Sequence, residues 1–225
     1  MPAGRYCNEI NGNLAALGSA IYTLGAQLSL ADAEVADNLG TSTSSGALHL
    51  NGNGDGDLLE NLLLDNNEDH ALVIDDLAAG GSLVTLDSAT LVDHPEAAIT
   101  LADEAGIDLQ LVNTLVWGNG LASIDGLSGA ASASQVCSLI AGGQLGASGS
   151  DPVLVSNPRG DYRLGMGSAA IDACLDGPAR DLDGNFRDAS PDIGAFEFGG
   201  ALPPAIFRSG FETVLLREPI PVPEL

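Results

Sequence analysis

The feature that most constrains this chain is an internal repeat. Four segments align: Leu30-Ala-Asp-Ala-Glu-Val35-Ala-Asp-Asn38, Leu58-Leu-Glu-Asn-Leu-Leu63-Leu-Asp-Asn66, Leu86-Asp-Ser-Ala-Thr-Leu91-Val-Asp-His94 and Leu111-Val-Asn-Thr-Leu-Val116-Trp-Gly-Asn119. Each opens on Leu, passes through polar or small residues to an aliphatic one, and closes on Asn or His. The closing residues stand 28, 28 and 25 positions apart. A second set interleaves with the first at a similar period: Ala20-Ile-Tyr-Thr23, Ala47-Leu-His-Leu50, Ala71-Leu-Val-Ile74 and Ala98-Ile-Thr-Leu101. Two independent motifs that share a period mark a solenoid. A unit of about 25 residues cannot bury its apolar face alone and must stack on its neighbours.

Strand geometry turns this repeat into an architecture. Side chains alternate faces along a strand, so Ile21, Leu48, Leu72 and Ile99 are expected in one buried stack. Tyr22, His49, Val73 and Thr100 are expected to face solvent. Successive coils climb by the interstrand spacing of about 4.8 Å. Asn38, Asn66 and Asn119 then form a ladder at one corner, with His94 in the third place, where Asn tolerates left-handed φ and its amide bonds the next coil. A leucine-rich repeat lacks its helical face here, and a sheet with helical crossovers needs 3.6-period stretches that are missing. The fold class expected is all-β, a right-handed parallel β-helix.

Composition fits such coils. Aromatic residues make up only 4% of the chain and glycines number 29, which suits small corners and aliphatic interiors. Asp and Glu total 31 against 7 basic residues, all Arg, for a formal charge of −24. Phosphate contacts need cations, so a nucleic-acid partner is excluded, and so is an anionic membrane surface. The acidic surface keeps the chain soluble by self-repulsion; affinity for calcium, which prefers oxygen ligands, is the sharper reading. No segment reaches the roughly 18 apolar residues of a membrane helix. Met1 leads into polar sequence without a signal peptide, so an export signal is expected upstream of this fragment.

Three cysteines, Cys7, Cys137 and Cys174, form no metal-type cluster. In an exported protein Cys137 and Cys174 are candidates to pair, leaving Cys7 to a partner upstream; three buried thiols is the other reading. A bridge would fasten the last coils to the C-terminal third of the chain and would persist only outside a reducing cytosol.

The motif pairs Gly18-Ser-Ala-Ile21 and Ser45-Gly-Ala-Leu48, with Val35-x-x-Asn38, Leu63-x-x-Asn66 and Val116-x-x-Asn119, resemble degenerate repeats of the chlamydial polymorphic outer-membrane proteins, with an aliphatic residue where that family has Phe. Asp151-Pro-Val-Leu-Val155, Gly160 to Ala173, Asp181-Leu-Asp-Gly-Asn-Phe-Arg-Asp188 and Pro191-Asp-Ile-Gly-Ala-Phe-Glu-Phe198 resemble the closing region of bacterial choice-of-anchor (type Q) β-helix surface proteins. Ile206-Phe-Arg-Ser-Gly-Phe-Glu212 is similar to a short ending found on proteobacterial surface proteins. These resemblances imply an extracellular or cell-surface location. They divide the chain into coils over 1–150, truncated at the N-terminus, a closing region over 151–198 and an extended tail over 199–225 with a sorting motif. Within the closing region, Ala169–Ala173 and Ile193–Phe198 read as short strands. Phe186, Phe196 and Phe198 are expected to plug the open end of the helix, whose bare edges otherwise invite aggregation.

Candidate sites are few. Asn51-Gly-Asn-Gly-Asp-Gly-Asp57 alternates oxygen donors as calcium loops do, but Leu62 stands where an EF-hand needs a bidentate Glu; a turn is the plainer reading. Asp181, Asp183, Asn185 and Asp188 form the better calcium candidate, against a structural turn. β-Helix lyases and glycosidases rely on Lys or Arg beside the substrate, or on carboxylate and His sets. Here Lys is absent, no Arg lies between Arg5 and Arg159, and of those sets only Asp75-Asp76 occurs. The expectation is an exported structural or adhesin-like β-helix without catalysis or an obligatory cofactor. Its partners would be an extracellular polysaccharide or a host or cell-surface component. A carbohydrate-binding β-helix, and less favourably a polysaccharide lyase or glycosidase, are the alternatives.

Overall fold

The computed structural model describes residues 7–200 apart from 43–44, 53–55, 77–80, 103–105 and 156–159. The tail beyond residue 200, including the segment read as a sorting motif, and the middle of the Asn51–Asp57 segment lie outside the described residues.

The described chain winds as a parallel β-helix. The first coil carries β1 (Asn8–Asn11), β2 (Leu14–Ala15) and β3 (Ile21–Tyr22); the second carries β4 (Ser29–Ala36), β5 (Leu39–Gly40) and β6 (Gly46–Asn51). The third carries β7 (Asp57–Asp65) and β8 (His70–Asp75), and the fourth β9 (Ser82–Asp87), β10 (Thr90–Val92) and β11 (Ile99–Leu101). The fifth carries β12 (Ile107–Val112), β13 (Leu115–Trp117) and β14 (Ile124–Asp125), and a last partial coil has β15 (Ser132–Val136) and β16 (Leu139–Ile140). Like strands pair in parallel from coil to coil and make three walls. The first wall holds the front of β4 and β7 with β9, β12 and β15; the second holds β1, the back of β4 and β7, and β10, β13 and β16. The third holds β3, β6, β8, β11 and β14.

The interior is a set of aliphatic rows. Ile21, Leu48, Leu72, Ile99 and Ile124 stack in register on the third wall. Val35, Leu64, Leu91, Val116 and Ile140 stack on the second, and Leu30, Leu59, Leu86 and Leu111 on the first. The third coil therefore sits one residue later than the sequence alignment placed it. Leu59 and Leu64 occupy the inner positions, whereas Leu58 is 41% exposed. The run Leu62-Leu63-Leu64 hides this slip, because Leu63 is also buried, from the outside of the second wall.

The outer row of the third wall departs from expectation. Tyr22 is exposed, but His49 and Val73 are buried and Thr100 half-buried. The Tyr22 ring meets His49 edge-on at 5.3 Å, and His49 Nε2 lies 2.7 Å from Asp75 Oδ2. Outer side chains stack along the axis as inner ones do, so members in the middle of the row lose their solvent.

The closing region does not plug the end. Leu164, Ala170, Cys174, Leu182, Ile193, Ala195 and Phe196 pack against Leu63, Val92, Leu115 and Leu139, the outer face of the second wall. Ala195 N donates to Thr90 Oγ1 at 2.9 Å and Gly194 N to the Asn113 carbonyl at 2.9 Å. Neither expected strand forms. Asp172 and Gly194 hold left-handed φ of 53° and 102°, which breaks both extended runs. A side chain at Gly194 would also collide with Thr90 Oγ1, since its Cβ would lie 2.6 Å away. Phe196 is buried, while Phe186 and Phe198 are 46% and 43% exposed. The end of the helix is closed instead by the turn Ala141–Gly146. Leu145 and Ala147 pack on the main core. Gln144 Oε1 accepts from Ile124 N and its Nε2 donates to the Ile124 carbonyl, at 2.9 and 2.8 Å. One side-chain amide thus satisfies the free edge of β14.

Candidate functional site

The corner between the second and third walls carries an amide ladder. Asn38 Oδ1 accepts from Asn13 N, and Asn67 Oδ1 accepts from Asn38 N, each at 3.1 Å. Asn119 Oδ1 accepts from His94 N at 3.1 Å. The second hand of each side chain reaches back to a carbonyl of the preceding coil: Asn38 Nδ2 to Ile10, Asn67 Nδ2 to Val35 and Asn119 Nδ2 to Leu91. The rung in the third coil is Asn67, not Asn66. The left-handed conformation belongs to the position before the rung, held by Gly12, Asp37, Asn66, Asp93 and Gly118 with φ between 46° and 69°. Short polar residues and Gly are the ones that tolerate it. A second left-handed row, Asp32, Asn61, Ser88, Asn113 and Cys137, turns the corner between the first and second walls.

Along the ladder runs a groove of about 610 Å³. Asn38 and His94 lie in its lining with Asp37, Asn66, Glu68 and Asp93. Asp37 Oδ1 accepts from Asn66 Nδ2 at 2.6 Å, and Asp93 Oδ2 accepts from the Tyr162 hydroxyl at 2.9 Å. Burial, that hydrogen bond and the charges of Asp65, Asp93 and Asp37 push the Tyr162 phenol well above its ordinary pKa. Among the described residues the lining offers carboxylates and amides and no Arg or Lys, so it suits a ligand rich in hydroxyl or ammonium donors. A smaller cleft of about 210 Å³ lies between the first wall and the closing region, lined by Glu60, Asp87, Val112, Asp176, Gly177 and Pro178. Glu60 and Asp87 stand directly opposite on β7 and β9. Burial raises both carboxyls above their usual range; Asp87 adds to the effect at Glu60, and Asp176 adds to it at Asp87.

The calcium candidates are engaged within the protein. Asp181 accepts from Asn185 N, Asn185 Nδ2 and Glu197 N, and so organises its own turn. Asp183 takes a two-pronged contact from Arg163 at 2.7 and 2.8 Å. Asp188 Oδ1 accepts from Ser190 N. Among the described residues no group of three His, Cys, Asp or Glu side chains converges as a metal would require. Of the Asn51–Asp57 segment, the described ends Asn51 and Asp57 are buried.

Cys137 and Cys174 form a disulfide with Cα atoms 5.8 Å apart. It ties the corner after β15 to the closing region. The three described arginines all lie in that region. Arg163 is held by Asp161 and Asp183; Arg180 donates to the Gly184 carbonyl and stacks 3.9 Å from the Phe186 ring centroid. Arg187, buried beside Glu197 at 3.3 Å, also donates to the carbonyls of Asp192 and Gly194. The histidines are similarly committed. His49 faces Asp75, His70 Nδ1 lies 2.8 Å from the Ala97 carbonyl, and His94 sits in the ladder. Sequence reasoning missed the groove; its signal was the polar residue before three of the rungs, Asp37, Asn66 and Asp93, visible only once the ladder is in register. No protein-family model matches the chain, and no curated protein and no solved structure matches it either. Among the described residues no helix is long and apolar enough to cross a membrane.

Proposed function

We propose that this chain is part of an exported β-helix that serves at a cell surface or outside the cell as a structural, adhesin-like module, without chemistry of its own. The observation that carries the reading is the Cys137–Cys174 disulfide, a bond that persists in oxidising compartments and is rare in a reducing cytosol. The resemblance of residues 151–198 to choice-of-anchor closing regions supports it, as does a charge of −24, which keeps an exposed rod soluble. A non-catalytic role is favoured by the commitments of Arg163, Arg180 and Arg187, which leave none of them to neutralise a uronate. The proposal needs no cofactor. The test is to alkylate free thiols in intact producing cells, fractionate them and map peptides by mass. Recovery of a linked Cys137–Cys174 peptide from the extracellular or surface fraction is expected; alkylated Cys137 and Cys174 in a cytosolic fraction would sink the reading.

A carbohydrate-binding role is the second reading, favoured by the groove over the ladder, where Asp37, Asn66, Glu68 and Asp93 present hydrogen-bonding groups in steps of one coil. Calorimetry with oligosaccharides of graded length is its test. Heat that grows with length and is lost in Asp93→Ala supports it, and absence of heat with all of them removes it.

A further inference from the structure

Four of the five rungs described in the ladder are Asn; the fourth coil uses His94. The imidazole reproduces both hands of the amide it replaces. Its Nδ1 lies 3.2 Å from Asn67 N and accepts that N–H, while Nε2 lies 3.2 Å from the Leu64 carbonyl and donates to it. The geometry fixes one neutral tautomer, because a nitrogen that accepts a backbone N–H cannot also carry a proton. The Asn67 carbonyl oxygen lies 3.4 Å from the same Nδ1, a longer contact that does not relieve the two facing N–H groups. An Asn rung has no such state, since its amide does not titrate.

We propose that His94 is an acid-sensitive rung: protonation breaks its bond to Asn67, drives the ring out of the ladder into the groove lined by Asp37, Glu68 and Asp93, and parts the third and fourth coils at that corner.

The surroundings favour this path. His94 is 1% exposed and its neighbours in the ladder, Asn67 and Asn119, carry no charge. Asp93 is the adjoining residue, Asp37 and Glu68 line the groove on which the ring borders, and His70 is the other titratable group acting on it. Held in the ladder, the ring resists protonation. Burial chiefly, with His70 adding, lowers it from 6.5 to about 4, against the opposing pull of the Asn67 and Leu64 contacts and of Asp93. Released into the groove, it meets carboxylates and solvent. A His whose pKa is depressed in the folded state contributes stability in full above about 6.5 and loses it as pH falls towards 4. Asp192 runs the other way. Its carboxyl, raised to about 6 chiefly by burial, contributes stability below 3.8 that is lost as pH rises through 6. A variant is therefore needed to separate the two.

His94→Asn restores the rung of the other coils, and the two proteins are compared by urea midpoint between pH 7.5 and 4.5. The wild-type midpoint should fall relative to His94→Asn across that range, with the two close together at pH 7.5. Parallel profiles would overturn the proposal. A second measurement uses the wild type alone, in case the variant folds poorly. Amide exchange at Asn67 should gain about fifty-fold relative to Asn13, whose N–H is held by Asn38 Oδ1, between pH 7 and 4.5. An unchanged ratio of the two amides would equally overturn it.

Discussion

The coils and the closing region solve the same problem by opposite means. The coils repeat: each inner row is aliphatic, two corners reuse left-handed residues and one of them an amide rung, and no Arg or Lys lies between Arg5 and Arg159. Among its described residues the closing region has only isolated bridges, such as Leu154 with Leu164 and Arg180 with Phe186, yet it orders Phe196, Ile193 and Leu182 into a core. It can do so because the second wall is apolar on both faces and offers Leu63, Val92, Leu115 and Leu139 as a template. A repeating element needs only neighbours like itself. An irregular one borrows a surface and fixes itself with a disulfide and a buried charge pair.

Breaking the fixings should separate the two regions. The largest effect is expected from Arg187→Met. It leaves Glu197 buried without its partner and frees the carbonyls of Asp192 and Gly194, a loss of about 3–5 kcal/mol read as urea stability of the closing region. Phe196→Ala should cost about 3–5 kcal/mol and Phe198→Ala less than about 1 kcal/mol, as befits a surface site; equal effects would mean that both rings plug the end of the helix after all. Replacing both Cys137 and Cys174 by Ser should remove about 3–4 kcal/mol by the chain-entropy model. That loss should appear in the undocking of the closing region, with the cooperative unfolding of the coils retained. The smallest effects concern the ladder. Asn67→Ala should cost about 1–3 kcal/mol for stranded buried partners, whereas Asn66→Gly, which copies Gly118 at the same position of the fifth coil, should change stability by less than about 0.5 kcal/mol. The reverse ranking would restore the ladder to Asn66.

These contrasts also mark what the sequence could tell. The period, the wall of Ile21, Leu48, Leu72 and Ile99, and the existence of a ladder were legible because repetition averages out local noise. The register of the third coil was not, since Leu62, Leu63 and Leu64 satisfy either phase and one residue decides which face each takes. The burial of His49 was not legible because it depends on Tyr22 and Asp75 from neighbouring coils. The place of the closing region was misread for a related reason. Paired apolar residues such as Leu91-Val92 and Leu115-Val116 signal a strand covered on both faces, and that signal was absorbed into the repeat. As for the site, the sequence offered Asp181 to Asp188 either as a calcium set or as a structural turn; it did not show that Arg163 holds Asp183 or that Glu197 N donates to Asp181.

Trp117, the only tryptophan, lies partly buried on the second wall against the closing region, so its fluorescence reads the docking directly. In the full chain, replacing Phe196 by Ala together with both bridging cysteines by Ser should shift Trp117 emission to longer wavelength and raise its quenching by acrylamide, while far-ultraviolet circular dichroism keeps its β signature. Unchanged emission and quenching in that variant would contradict the central claim, because a closing region seated on the end of the helix would leave Trp117 untouched.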